Sequence, residues 1–319
     1  MRDEDKAYYS ENCRICHAPF TIENYMVAEM MFGFRDKFSY QQCSSCGCLQ
    51  ITELPSNIEK YYPPHYYSFT QQIPKLRRLP FFKRLFAEMR LKKKYGQNLD
   101  ILKHLKPVNA KINYRILDVG CGRGRLICEL FNQGFKNVSG IDKFIPQEIK
   151  YDFGVKILKK ELTDLQSNSY DVITMHHVLE HIDQQHKTIK DCYDLLKKNG
   201  CLVLGVPLLA TAWEEYKHNW VQLDAPRHYF LHTVKSITIL AETNGFEIKH
   251  SMFDSTSFQF WGSEFYKRDI PLFTEENNYG FYPVEKLFNN TQIEGFENRA
   301  KELNRLGKGD SGVFYLYKK

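Results

Sequence analysis

The chain has 319 residues, 43% of them hydrophobic and 26% charged, the balance of an ordinary globular protein with room for one large core and a small appended domain. No run approaches the ~18 apolar residues that a membrane-spanning helix needs, and the charged N-terminus lacks the apolar stretch of a secretory signal, so a cytoplasmic protein is expected. The net charge of +6 is unevenly spread, because residues 75–94 hold nine Lys or Arg against Glu88 alone.

Five of the nine cysteines fall within the first 48 residues. In a reducing compartment such clustering points to metal ligation rather than disulfides. Cys13-Arg-Ile-Cys16 and Cys43-Ser-Ser-Cys46-Gly47 are two C-x-x-C pairs separated by 26 residues, which suits a tetrahedral zinc site of Cys13, Cys16, Cys43 and Cys46. Cys48 could replace Cys46, and His17 is a weaker substitute. Four thiolates leave no open position, so the Zn2+ would serve folding and not catalysis. Residues 1–60 are therefore read as a zinc-binding module.

Residues 61–110 read as a linker. It opens with the aromatic run Tyr61-Tyr62-Pro63-Pro64-His65-Tyr66-Tyr67, which could stack on a sugar but is favoured as packing. It continues as a basic helix in which Leu79, Phe82, Leu85, Phe86 and Met89 recur at helical spacing. Such a helix can lie on an anionic membrane or touch phosphates. A solvated basic face above a packed apolar stripe is the plainer reading.

From residue 111 to 319 strands and helices alternate, the pattern of a parallel sheet covered on both faces. Strands are expected at Tyr114–Val119, Val138–Asp142, Val155–Leu158, Tyr170–Met175, Cys201–Val206, Phe246–Phe253 and Val313–Tyr317, with helices at Leu126–Asn132, Gln184–Lys197, Thr233–Thr243 and Gly295–Leu306. Asn199-Gly200 and Asn244-Gly245 are helix stops. The sum is an α/β, doubly wound, mostly parallel seven-stranded sheet.

The first strand runs into Gly120-Cys121-Gly122-Arg123-Gly124, a turn that lets a ligand lie against bare backbone. Asp142, at the end of the next strand, is placed to take a ribose hydroxyl pair. A dinucleotide fingerprint would need glycine where Arg125 stands. Asp118, at the mouth of the loop, opposes a pyrophosphate but suits a ligand with an ammonium group and a sulfonium. The loop therefore favours S-adenosylmethionine over NAD.

His177-Val178-Leu179-Glu180-His181 fits the H-x-x-E-H zinc-protease pattern. The segment directly follows an apolar strand and has no obvious distal ligand motif, so the match is set aside. Ligands bind at the carboxyl ends of parallel strands, which brings His176, His177, Glu180 and His181 near the cofactor. Each histidine could equally be a hydrogen-bonded structural residue; His181 is the first candidate for a base. A second polar group, Trp220, Asp224, Arg227 and His228, lies in a segment too long for a turn. Asp224, Arg227 and His228 could orient an acceptor hydroxyl and take its proton, or anchor the loop as an ion pair. Residues 255–266 could cap the acceptor pocket.

These residues carry a resemblance. Ile116 to Leu126, the Ser139–Asp142 strand end, Ser169 to Ile182 and Leu195 to Pro207 resemble successive motifs of class I S-adenosylmethionine-dependent methyltransferases, a Rossmann-like fold. By that resemblance Asp118, Gly120, Cys121, Gly122 and Gly124 face the methionine part, Asp142 the ribose, and Glu161-Leu162 the adenine. The cysteine module and the aromatic run are similar to the zinc domain ahead of methyltransferases of bacterial polysaccharide and sugar pathways. The resemblance implies a small-molecule or glycan acceptor, most simply a sugar hydroxyl. Competing readings are a nucleic-acid methyltransferase using residues 75–94, and a non-catalytic S-adenosylmethionine-binding protein.

Overall fold

The computed structural model describes residues 11–64, 66, 72–77, 89, 91, 100–274 and 280–319. Most of the basic segment 75–94 lies outside the described residues. The N-terminal part is an antiparallel arrangement of β1 (Phe20–Ala28), β2 (Lys37–Cys43) and β3 (Leu49–Ile51). Between β2 and β3 the chain turns at Gly47, whose φ of 75° no side chain favours.

The strands of the large sheet are β4 (Arg115–Val119), β5 (Asn137–Ile141), β6 (Ile149–Lys150), β7 (Lys156–Leu158), β8 (Tyr170–His176) and β9 (Leu196–Pro207), with α1 (Arg125–Gln133) and α2 (Gln185–Leu195) among them. Beyond β9 come α3 (Thr211–Tyr216), β10 (Phe230–Leu231), α4 (Val234–Thr243), β11 (Phe246–Phe253), α5 (Phe258–Lys267), α6 (Asn290–Arg305) and β12 (Ser311–Lys318). The large sheet has the order β11-β12-β9-β8-β4-β5-β7-β6. Its five central strands are parallel, and β12 and β6 run against their neighbours. The seven expected strands are present; the eighth is the two-residue edge β6, too short to leave a periodic signal.

Alternation along the central strands builds two cores, because successive side chains point to opposite faces. Ile116, Val172 and Val203 face Leu102, Leu105 and Leu130, while Leu117, Ile173 and Leu202 face Ile189, Leu195, Ile237 and Leu240. The chain after β9 does not simply continue the large sheet. Leu231 pairs with Leu49, so β10 completes the N-terminal sheet in the order β1-β2-β3-β10. That pairing carries Asp224, Arg227 and His228 against the N-terminal segment.

Candidate active site and four-cysteine cluster

The glycine loop sits at the carboxyl end of β4. Gly120 N and Cys121 N both donate to Ile141 O, at 2.9 and 3.2 Å, stitching the loop to the neighbouring strand. Gly120 has φ 66°, and a Cβ there would run into the Val178 side chain. At Gly124 (φ 81°) a Cβ would meet Ile157. Backbone approach is thus enforced at both ends of the loop. Asp142 braces its middle: Gly122 N donates to Oδ2 at 2.9 Å and Phe144 N to Oδ1 at 2.8 Å. Beside it lies a cleft of about 320 Å³ lined by Gly122, Arg123, Asp142, Phe144, Ile145, Pro146 and Ile149.

Asp118 is nearly enclosed and accepts a hydrogen bond from Thr174 Oγ1 at 2.7 Å. Burial pushes its carboxyl up to about 7, and the Asp142 charge adds to the rise, against the Thr174 hydroxyl. A carboxylate stranded in this way is a site for a positive group.

Glu161 and Leu162 follow β7. Leu162 packs on the core, while Glu161 caps a short turn with Asp164 and lies 3.9 Å from Lys143. His176 ends β8 with its ring stacked on His104, centroids 4.7 Å apart, and burial first, then the charges of His104 and His177, lower its pKa to about 3. His104 Nε2 lies 2.9 Å from Asp254 Oδ2. This His104–Asp254 pair was not foreseen, since the two residues are far apart in sequence and lie in no motif.

The second polar group assembles where the turn after β8 meets the loop before β10. His181 Nδ1 is 2.8 Å from Arg227 O, and His228 Nδ1 is 2.7 Å from Gln222 O. A carbonyl can only accept, so each Nδ1 carries a proton, and a neutral ring presents its lone pair at Nε2. Burial and the charge of His228 lower the His181 pKa to about 4, which keeps that ring neutral near pH 7. The His181 and His228 centroids are 4.6 Å apart, and Tyr62 Oη reaches to 3.4 Å from His181 Nδ1. Glu180 lies beneath with 0% exposure, its Oε1 3.4 Å from His177 Nδ1 and 4.0 Å from His228 Nε2. In residues 255–266, read as a cap on the acceptor pocket, α5 packs Phe260 and Phe265 inward, and Ser263 Oγ accepts from Val221 N at 3.0 Å.

Arg227, read with Asp224 either as orienting an acceptor or as an ion-paired loop anchor, has the contacts of an anchor. It is fully buried, its guanidinium donating to Asp224 Oδ1 at 2.7 Å, Glu29 Oε1 at 2.8 Å and Tyr61 O at 3.0 Å. With every direction occupied by protein, it ties the acceptor-side loop to the N-terminal segment; Asp224, nearly as buried, is its counter-ion. Glu29 was missed in the sequence, though a lone carboxylate inside the apolar run Met26 to Phe34 was its signal.

At the N-terminus, Cys13 Sγ lies 3.6 Å from Cys46 Sγ, and Cys16 Sγ 3.4 Å from Cys43 Sγ. Thiolates around zinc at ~2.3 Å stand ~3.8 Å apart in a tetrahedron, so the four sulfurs are close to that arrangement. Ile15 N and Cys46 N point at Cys13 Sγ and Cys43 Sγ, both at 3.4 Å. Gln50 Nε2 donates to Cys13 Sγ at 2.9 Å. Cys46 belongs to the cluster, whereas Cys48 turns toward His232 Nδ1, 4.0 Å away. Cys121, Cys128, Cys192 and Cys201 are buried thiols. Among the described residues no helix is long and apolar enough to cross a membrane.

A family profile described as a methyltransferase domain matches residues 74–251. The curated relatives include several named ubiquinone biosynthesis O-methyltransferase. That of Rickettsia canadensis is 33% identical over 150 residues, covering 42% of this chain and 63% of the relative. That of Rickettsia typhi is 30% identical over 152 residues, covering 42% and 61%. The chain thus spans less than two thirds of the length of either. A solved S-adenosylmethionine-dependent methyltransferase from Archaeoglobus fulgidus is 18% identical, with a TM-score of 0.42, covering 75% of this chain and 100% of that one.

Proposed function

Since the chain belongs to the methyltransferase domain family, we propose that it transfers the methyl group of S-adenosylmethionine to a hydroxyl of a small-molecule or glycan acceptor. The observation that carries this reading is the glycine loop, closed against Val178 and braced by Asp142, with the buried Asp118 carboxyl behind it. The residues fit the donor. The bare backbone of the loop can lie against the methionine part, and Asp118 offers its charge to the ammonium. Asp142 keeps lone pairs beyond its two backbone bonds for the ribose, and Phe144 and Ile145 line an apolar wall for the adenine.

Bound there, S-adenosylmethionine supplies an electrophilic methyl group on a sulfonium. The chain holds the acceptor oxygen in line with the sulfur–methyl bond, and such positioning can be worth ~7–11 kcal/mol of barrier. His181, or His228 whose Nε2 faces Asp224 and Glu180 at 3.8 and 4.0 Å, accepts the hydroxyl proton. The pair sits at the carboxyl edge of the sheet beside Tyr62. The four-thiol cluster would hold one structural Zn2+, and the knuckles would thereby be fixed to α2 and α4 through Ile15 O with His186 (3.0 Å) and Cys46 O with Thr233 Oγ1 (2.6 Å).

The acceptor is proposed as a sugar or other small-molecule hydroxyl, and the ubiquinone relatives support an oxygen acceptor. The test is formation of S-adenosylhomocysteine with a panel of catechols, nucleotide sugars and single-stranded RNA. Turnover with a phenol or sugar supports the reading. Turnover with RNA alone, weakening steeply with salt, would replace the acceptor, and the absence of both turnover and donor binding would overturn the proposal.

A further inference from the structure

Glu180 poses an unsolved problem of charge. It is wholly enclosed, and neither carboxylate oxygen has a hydrogen-bond partner among the described residues. A buried carboxylate without donors is costly unless a cation stands beside it. The approaches of 3.4 Å to His177 Nδ1 and 4.0 Å to His228 Nε2 are too long for strong hydrogen bonds. Arg227 is already committed to Asp224 and Glu29.

We propose that Glu180, His181 and His228 form a binding site for a divalent transition-metal cation, separate from the four-thiol cluster. One ligand atom from each residue lies within 4.8 Å of the others. Two ligands on opposite sides of a metal at ~2.2 Å stand ~4.4 Å apart, so a small closure brings the three into reach. Both imidazoles have Nδ1–H tied to a backbone carbonyl, the outer hydrogen bond that sets a histidine up to ligate through Nε2. Charge agrees as well. Asp224 and Glu29 against Arg227 leave one negative charge and Glu180 adds a second, offset in part by the His177 ring 3.4 Å away, so the group favours a cation. Two imidazoles and a carboxylate suit Mn2+, Fe2+ or Zn2+.

The binding stands on geometry alone; its consequence rests on the methyltransferase reading. With the cation present the two imidazoles are ligands, and the cation lowers the pKa of an acceptor hydroxyl in an open position. The hydroxyl proton passes to solvent past the half-exposed His177 ring. The oxygen lone pair then forms the new O–C bond, and the C–S pair returns to sulfur as a neutral thioether.

The test is titration of the full-length protein with Mn2+, a cation poorly matched to four thiolates, followed by electron paramagnetic resonance. The wild type should bind one Mn2+ per chain. Glu180→Gln and His228→Ala, both checked for wild-type circular dichroism, should bind it at least tenfold more weakly. No bound Mn2+ in the wild type, or equal affinity in both variants, overturns the site. S-adenosylmethionine binding is measured on the same samples, and its failure in the wild type would sink the methyltransferase reading while leaving the Mn2+ result to stand.

Discussion

Replacing Asp118 with Asn should make the fold more stable and the donor site worse. The folded protein raises this carboxyl from its ordinary 3.8 to about 7, chiefly by burial. A raised acid pKa means that folding takes up a proton between those values, so the group costs stability progressively as pH rises from 4 to 7. The full displacement corresponds to an upper bound of ~4 kcal/mol above pH 7. An amide carries no such cost and can still accept the Thr174 hydroxyl through its oxygen. Urea unfolding of wild type and Asp118→Asn at pH 5 and pH 8 reads the effect. The advantage of the variant should reach about 1–3 kcal/mol at pH 8 and stand at roughly a third of that at pH 5. Calorimetric titration at pH 8 should show S-adenosylmethionine binding at least tenfold more weakly to the variant, because its ammonium loses a carboxylate. For the wild type, affinity should itself fall about tenfold from pH 8 to pH 6 as Asp118 protonates. A variant that gains nothing on going from pH 5 to pH 8 would refute the burial argument, and unchanged donor affinity would refute the assigned role.

Gly120→Ala combines a left-handed backbone with a clash against Val178. It should lower the unfolding midpoint by the equivalent of about 1–3 kcal/mol and weaken donor binding at least tenfold by calorimetry; a neutral substitution would mean that the loop is slack. Arg227→Met leaves Glu29 and Asp224 buried without their shared cation, and should cost about 3–5 kcal/mol in urea unfolding. A loss of turnover at unchanged stability would instead return Arg227 to the acceptor. Cys13→Ser should remove the one equivalent of zinc expected by atomic emission, whereas Cys48→Ser should leave it in place. Zinc retained in the former would disprove the four-thiol assignment.

Much of the large sheet was readable because buried strands and amphipathic helices leave periodic signals. Ile116-Leu117 and Val172-Ile173 read as unbroken apolar runs since each strand is covered on both faces. The cysteine pairs were equally plain, as spacing within a sequence-local knuckle is nearly the whole geometry. What stayed hidden depends on distant partners. The union of Leu231 with Leu49 joins segments with separate local patterns, and it decides that Arg227 faces Glu29 instead of a substrate. Asp224-Ala-Pro-Arg227-His228 looks the same in sequence whether it is a reactive loop or an anchor. In the structure all three are enclosed, with Arg227 paired to Asp224 and His228 Nε2 facing Asp224 at 3.8 Å and Glu180 at 4.0 Å. Helix α2 ends at Leu195 and not at Lys197, because Leu196 is already drawn into pairing opposite Tyr170.

The central claim is that the glycine loop and Asp142 hold S-adenosylmethionine, and the most direct measurement is calorimetric titration of the zinc-loaded wild type beside Asp142→Ala. The account predicts one site per chain with micromolar affinity in the wild type and a loss of at least tenfold in the variant, which gives up both the ribose contact and the brace on Gly122. A folded wild type that binds no S-adenosylmethionine, or a variant that binds it equally well, would contradict the account.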